Sequence, residues 1–156
     1  MNVTRHFTVA ELTTTSTGLP NYPAQSSVWC NLTRLCCDAL EPLRDLTGAI
    51  RVNSGYRSKD VNSAVGGSEN SAHLYGRAAD VVPWSDEKNA LDMMRTLQAS
   101  LIEFDKAILE YRGRGLWLHI QVRDVMKEAR CLCLMSLEAG EYIPFDENDE
   151  RLDAWK

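Results

Sequence analysis

"SGYRSKDVNSAVGGSENSAHLYGRAAD", Ser54 to Asp80, is the stretch on which the reading of this chain turns. A Gly pair and a run of small residues bring His73 within seven positions of Asp80, with few bulky apolar residues between them. Two readings are open: a surface loop that holds a His and an Asp by chance, or a metal site. Around the stretch, "AIRVNSGY" alternates Ile50 and Val52 with polar neighbours, as a strand does, and "AADVV" reads as a second strand. Between them "KDVNSAV" predicts a short helix that Gly66 and Gly67 end, and "VGGS" is a turn, not a phosphate loop, because no G-K-[ST] follows.

Outward from there, "TVAE" (Thr8 to Glu11) fits a capping box, and "TTTSTGLPNYPAQ" reads as a loop. Val28, Leu32, Leu35, Ala39, Leu43 and Leu46 share one helical stripe from Ser27 to about Leu46. Pro42 predicts a kink near its end, and Gly48 a stop. Ser85 is the expected cap of a later helix with Asp86 and Glu87 in its first turn and Ala90, Leu91, Met94, Leu97 and Leu101 on its apolar face. "KAILEY", "LWLHIQV" and "RCLCLMSL" have strand length, and "RGRG" suits a hairpin turn between the first two. Helices come first, then strands mixed with helices, so the fold class is α+β.

At 156 residues the chain is expected to form a single domain, 1–156, with a charged, solvated tail from about 146. The net charge of -5 speaks against nucleic acid or an anionic membrane as partner, and no stretch is apolar enough to insert into a bilayer. "MNVTRHFTVAEL" has no apolar segment of signal-peptide length, so synthesis in the cytoplasm is expected. Five cysteines match no secreted disulfide framework and read as reduced; Cys30, Cys36 and Cys37 read as small fillers on the long helix. Cys131 and Cys133 are expected on one strand face, as core or as two soft-metal thiolates.

A catalytic zinc takes three protein ligands and leaves a position for water. The chain has three histidines, His6, His73 and His119. An imidazole between Leu118 and Ile120 needs a hydrogen-bond partner or a metal. Taken alone, His119 reads as either.

S-G-Y-R-S, then N-x-A-V-G-G-S, S-x-H-x-x-G-x-A-A-D and W-x-H resemble the D-Ala-D-Ala carboxypeptidase-type zinc peptidases, peptidase family M-15, subfamily A. "HFTVAEL" and "ALEPLRDLTG" extend the likeness to about Val122. The resemblance implies a hedgehog/DD-peptidase-like fold, a small antiparallel sheet with flanking helices. It implies one Zn2+ held by His73, Asp80 and His119, with Ser71 and Gly76 supporting the ligands. Arg57 then acts in catalysis and holds substrate, where otherwise it is a surface Arg pairing with Asp60. His6 matches nothing in the family and reads as a surface residue. The expected substrate is a peptide bond in the stem peptide of bacterial peptidoglycan, with Trp117 walling the cleft; with no export signal expected, a phage or prophage wall hydrolase fits.

One position departs from the family. It keeps a Glu just before the final His strand, and Leu116 is not acidic. Glu110 is the best match. With a four-residue loop from Arg112 to Gly115, Glu110 faces Trp117 and shares a sheet face with His119 as its diagonal neighbour; a one-residue change in the loop turns it away. The alternative function is a zinc-bearing binding or virion structural module without activity.

Overall fold

The computed structural model describes residues 1–156 apart from Arg114. In chain order come α1 (Val9–Leu12), α2 (Ser26–Leu35), a π-helical turn (Cys36–Leu40), α3 (Glu41–Thr47), β1 (Ile50–Ser54), α4 (Lys59–Ala64) and a 3₁₀ turn (Ala72–Tyr75). Then follow β2 (Ala78–Pro83), α5 (Ala90–Gln98), β3 (Lys106–Arg112), β4 (Gly115–Gln121), β5 (Leu132–Ser136), β6 (Ile143–Pro144) and a second 3₁₀ helix (Glu150–Trp155). The class is α+β, as expected: one six-stranded sheet, order β1-β2-β4-β3-β5-β6, with helices against it.

The strands pair antiparallel except β3 with β5, which run parallel. Gln121 at the end of β4 lies opposite Lys106 at the start of β3. A connection that stays at that end can only enter the free side of β3 in the same direction as β3. The expected all-antiparallel sheet is therefore mixed at this one pair.

Period-2 alternation separates the two sheet faces. Val52, Ala79, Val81, Ala107, Leu109, Leu118, Ile120 and Met135 face the core with the buried residues of α2, α3 and α5. The other face carries Asp80, His119, Glu110, Trp117, Lys106 and Gln121, and it floors an open cleft.

The long helix departs from the plain stripe. Pro42 has no N–H to give to Asp38, and its ring crowds that carbonyl, so the preceding turn widens into the π form at Cys36–Leu40. The added residue shifts the phase: Leu43 and Thr47 are buried, while Leu46 is exposed. Of the cysteines on this helix only Cys36 is buried; Cys30 and Cys37 are exposed. Cys131 is exposed with φ +48°, ahead of β5, so it does not share the strand face expected with Cys133. All five thiols are free.

Asn89, not Ser85, caps α5: its Oδ1 accepts the Leu91 and Asp92 N–H groups at 2.9 and 3.2 Å. Ser85 only closes a local turn by accepting from the Glu87 N–H. Leu101 lies past the helix end and is exposed, whereas Met93 joins the apolar face. The expected solvated tail instead docks: Leu152 is buried, Trp155 packs on Tyr111, and the Asn89 side chain donates to the Trp155 carbonyl at 2.7 Å.

Candidate metal centre and active site

Three elements place three side chains together. His73 sits in the 3₁₀ turn, Asp80 on β2 and His119 directly opposite Asp80 on β4. His73 Nε2 is 3.2 Å from His119 Nδ1 and 3.3 Å from Asp80 Oδ1, which is 2.9 Å from His119 Nδ1. All three residues are buried at the bottom of the cleft.

The donor set fits a metal. His73 Nδ1 donates to the Gly55 carbonyl at 2.6 Å, which fixes the tautomer and leaves Nε2 with its lone pair turned inward. Three lone-pair atoms then converge on one point, an arrangement that a single Zn2+ satisfies. Burial pushes the His73 imidazole below its usual pKa against the pull of Asp80. Burial alone would raise the Asp80 carboxyl, but its interactions with the His73 and His119 imidazoles hold it well below the carboxylate range.

Glycines make the close approach possible. At Gly55 a side chain would run into the Leu12 carbonyl, which also accepts from the Tyr56 N–H at 2.7 Å. Gly76 has φ +67° and lies under α2, where a Cβ would sit 2.8 Å from the Val28 carbonyl. Buried Asn21 ties down the segment after Gly55, donating to the Tyr56 carbonyl at 2.8 Å and accepting from the Ser58 N–H at 2.7 Å. The support expected of Ser71 is backbone only: its carbonyl accepts from the Leu74 N–H, and among the described residues its hydroxyl bonds to none of the three.

Arg57 is no surface partner of Asp60. Its guanidinium reaches Asp80 Oδ2, and its Nε donates to the Ser54 hydroxyl at 2.8 Å. His6 is not free at the surface either: it pairs with Glu41 at 2.7 Å, far along the chain from the cleft.

Glu110 stands opposite Trp117, and Ile108 stands opposite His119, so Glu110 and His119 are diagonal neighbours on the cleft face. The hairpin pairs one step further than expected, Arg112 with Gly115, and Arg114 lies outside the described residues. Adding a pair takes one residue from each side of the loop, so the register, and with it the face of Glu110, is unchanged. Burial pushes the Glu110 carboxyl above its usual value, and the negative Asp80 adds to this against His119, Arg112 and Arg57. Trp117 lines the cleft beside it.

The sequence matches the family Peptidase M15 over residues 5–120. A stretch of 44 residues is 50% identical to the zinc D-Ala-D-Ala carboxypeptidase of Streptomyces albus G, covering 27% of this chain and 17% of that relative's length. The family match runs from the first helix through β4, and so takes in the turn that seats His73 and both strands that seat Asp80 and His119. On that extent the chain belongs to the Peptidase M15 family.

Proposed function

We propose that this chain is a zinc-dependent peptidase that hydrolyses a peptide bond in the stem peptide of bacterial peptidoglycan, as a D-Ala-D-Ala carboxypeptidase or an endopeptidase. The observation that carries it is the meeting of three lone-pair atoms, His73 Nε2, Asp80 Oδ1 and His119 Nδ1, beside a carboxyl whose pKa is raised. The Streptomyces relative, a zinc D-Ala-D-Ala carboxypeptidase, supports the substrate class.

His73, Asp80 and His119 would hold the ion. Zinc, when bound, acts as a Lewis acid and brings the pKa of water to about 7. Glu110 takes the proton of the attacking water on its carboxylate and returns it to the leaving amine; a raised pKa suits both transfers. Arg57, fixed from one side by Asp80 and from the other by Ser54, presents its remaining N–H groups to the developing oxyanion. Trp117 walls the cleft and orders the peptide. A host wall as the place of action, with a phage or prophage as the source, belongs to the same proposal.

The test is digestion of purified peptidoglycan by the zinc-loaded protein, with product masses read out. Glu110→Gln should keep zinc and release almost no peptide, a loss of about a hundred- to ten-thousand-fold. Cutting by this variant at the wild-type rate would assign the base elsewhere. A wild type that holds zinc and cuts no stem peptide would instead be a binding module.

A further inference from the structure

We propose that Lys106 forms a carboxylate-binding subsite on the cleft floor, on the far side of His119 from Glu110. This rests on the peptidase reading and names a feature of the substrate that the site takes.

Register places it. On the cleft face of β3, Lys106, Ile108 and Glu110 follow one another, opposite Gln121, His119 and Trp117 of β4. Lys106 and Glu110 are thus the two diagonal neighbours of His119 on this strand, each about 7 Å along β3 from Ile108. An extended peptide advances roughly 3.3–3.6 Å per residue. A peptide laid along the floor with its reacting bond at the metal group therefore brings its next one or two residues over Lys106.

The charge of Lys106 is free to be used. Among the described residues it has no ion-pair or hydrogen-bond partner, although it is partly buried and lines the cleft. Neighbouring Asp105 and, elsewhere in the cleft lining, Asp124 are already taken. Asp105 accepts from Arg130 through both oxygens at 2.7 Å, and from Gln121 Nε2 at 2.6 Å. Asp124 accepts from Arg77 at 2.6 Å. Arg57 in the same cleft is spent on Asp80 and Ser54. Arg77, Arg112 and Arg130 pair with Asp124, Glu110 and Asp105, and Lys127 lies off the strands, so among the described residues Lys106 is the unpaired cation of the sheet floor. In a chain of net charge -5, a cation with no acidic partner on the floor of the cleft selects for an anion.

The ligand chemistry is a carboxylate close to the reacting bond. It has two sources, the C-terminus of the substrate or an acidic group inside it. Four synthetic stem peptides separate them: C-terminal carboxylate free or amidated, combined with internal glutamyl carboxylate free or amidated. Calorimetric titration into zinc-loaded Glu110→Gln keeps the peptides uncut. Amidation of one of the two carboxylates should weaken binding about tenfold, and the one that matters names the source. In Glu110→Gln with Lys106→Met, which keeps the aliphatic stem, that discrimination should vanish while zinc content stays the same. Equal binding of all four peptides, or the same discrimination without Lys106, overturns the subsite. Cleavage by the wild type is read separately: cutting without carboxylate discrimination sinks the subsite alone, and discrimination without cutting sinks the hydrolase reading alone.

Discussion

Asp80 is held on both oxygens, one facing the two imidazoles and one facing Arg57. Its environment shows why no single partner can be exchanged freely. His73→Ala or His119→Ala should abolish tight zinc binding, measured as metal per chain after purification without added metal. Cys131→Ser with Cys133→Ser should leave it unchanged, because neither thiol is near the ligand group; full zinc in both His variants would end the assignment. Arg57→Lys keeps the charge but cannot bridge Asp80 and Ser54 while still facing substrate. A loss of about 3 kcal/mol in transition-state binding, roughly a hundredfold in turnover, is expected, and wild-type kinetics would remove Arg57 from the mechanism. At this scale the motif residues His73, Asp80, His119 and Arg57 were legible because their side chains do the work. Gly55 and Asn21 were not. One acts through a backbone carbonyl and the other through loop-to-loop hydrogen bonds, and neither leaves a periodic or spaced signal in "GLPNYP" or "SGYRS".

Elements were legible wherever period and caps agreed. The Thr8 box, β1, β2 and the β3–β4 hairpin stand where alternation put them, and the face of Glu110 followed from the register. Misreadings came where a local choice was settled by something outside the window. Pro42 widened a turn and moved Leu46 out of the stripe, and Asn89 captured α5 because Asp92 answers it as a capping box. The β5 pairing was equally hidden, since nothing in "RCLCLMSL" says which strand it will join. Asp105 makes that pairing testable. It takes Gln121 Nε2 from β4 and Arg130 from the segment ahead of β5, and its own carbonyl accepts from the Leu132 N–H at 3.2 Å. Hydrogen bonds from Arg130, with that from Gln121 and against the cost of burial, hold its carboxyl below the usual value. A folded pKa below the unfolded one stabilises above the unfolded value, about 3.9, and the gain is lost as pH falls through the folded value. Asp105→Asn should thus cost about 1–2 kcal/mol in urea denaturation at pH 7, and the gap to wild type should close below pH 4. A gap that is constant from pH 7 to pH 3 would show that the charge plays no part.

The whole molecule ties the chemistry to the fold through sequence separation. His73, Asp80 and His119 come from a turn, an inner strand and the strand beside it, and β4 in turn carries β3, with Tyr111 packed on Trp155 of the C-terminal segment. A charged tail was the natural reading of "DENDERLDAWK", but Leu152 and Trp155 are apolar residues one helical turn apart, enough to dock it. A zinc ion bound by the three residues therefore cross-links parts of the chain that the unfolded state holds apart, and it binds the folded form only. By mass action, free zinc at a hundredfold excess over Kd adds about 2.7 kcal/mol. For a chain of this length each kcal/mol moves Tm by roughly 2–4 °C, so chelation should lower Tm by about 5–10 °C. The fold itself should survive, because His119 bonds to Asp80, His73 to the Gly55 carbonyl, and Arg57 to both Asp80 and Ser54, within a core that owes nothing to the metal. Calorimetry of wild type with zinc and with chelator, alongside His119→Ala under both conditions, reads this directly. The wild type should melt at two temperatures and the variant at one. Equal melting of the wild type with and without zinc would mean that the three residues do not hold the ion in the folded state.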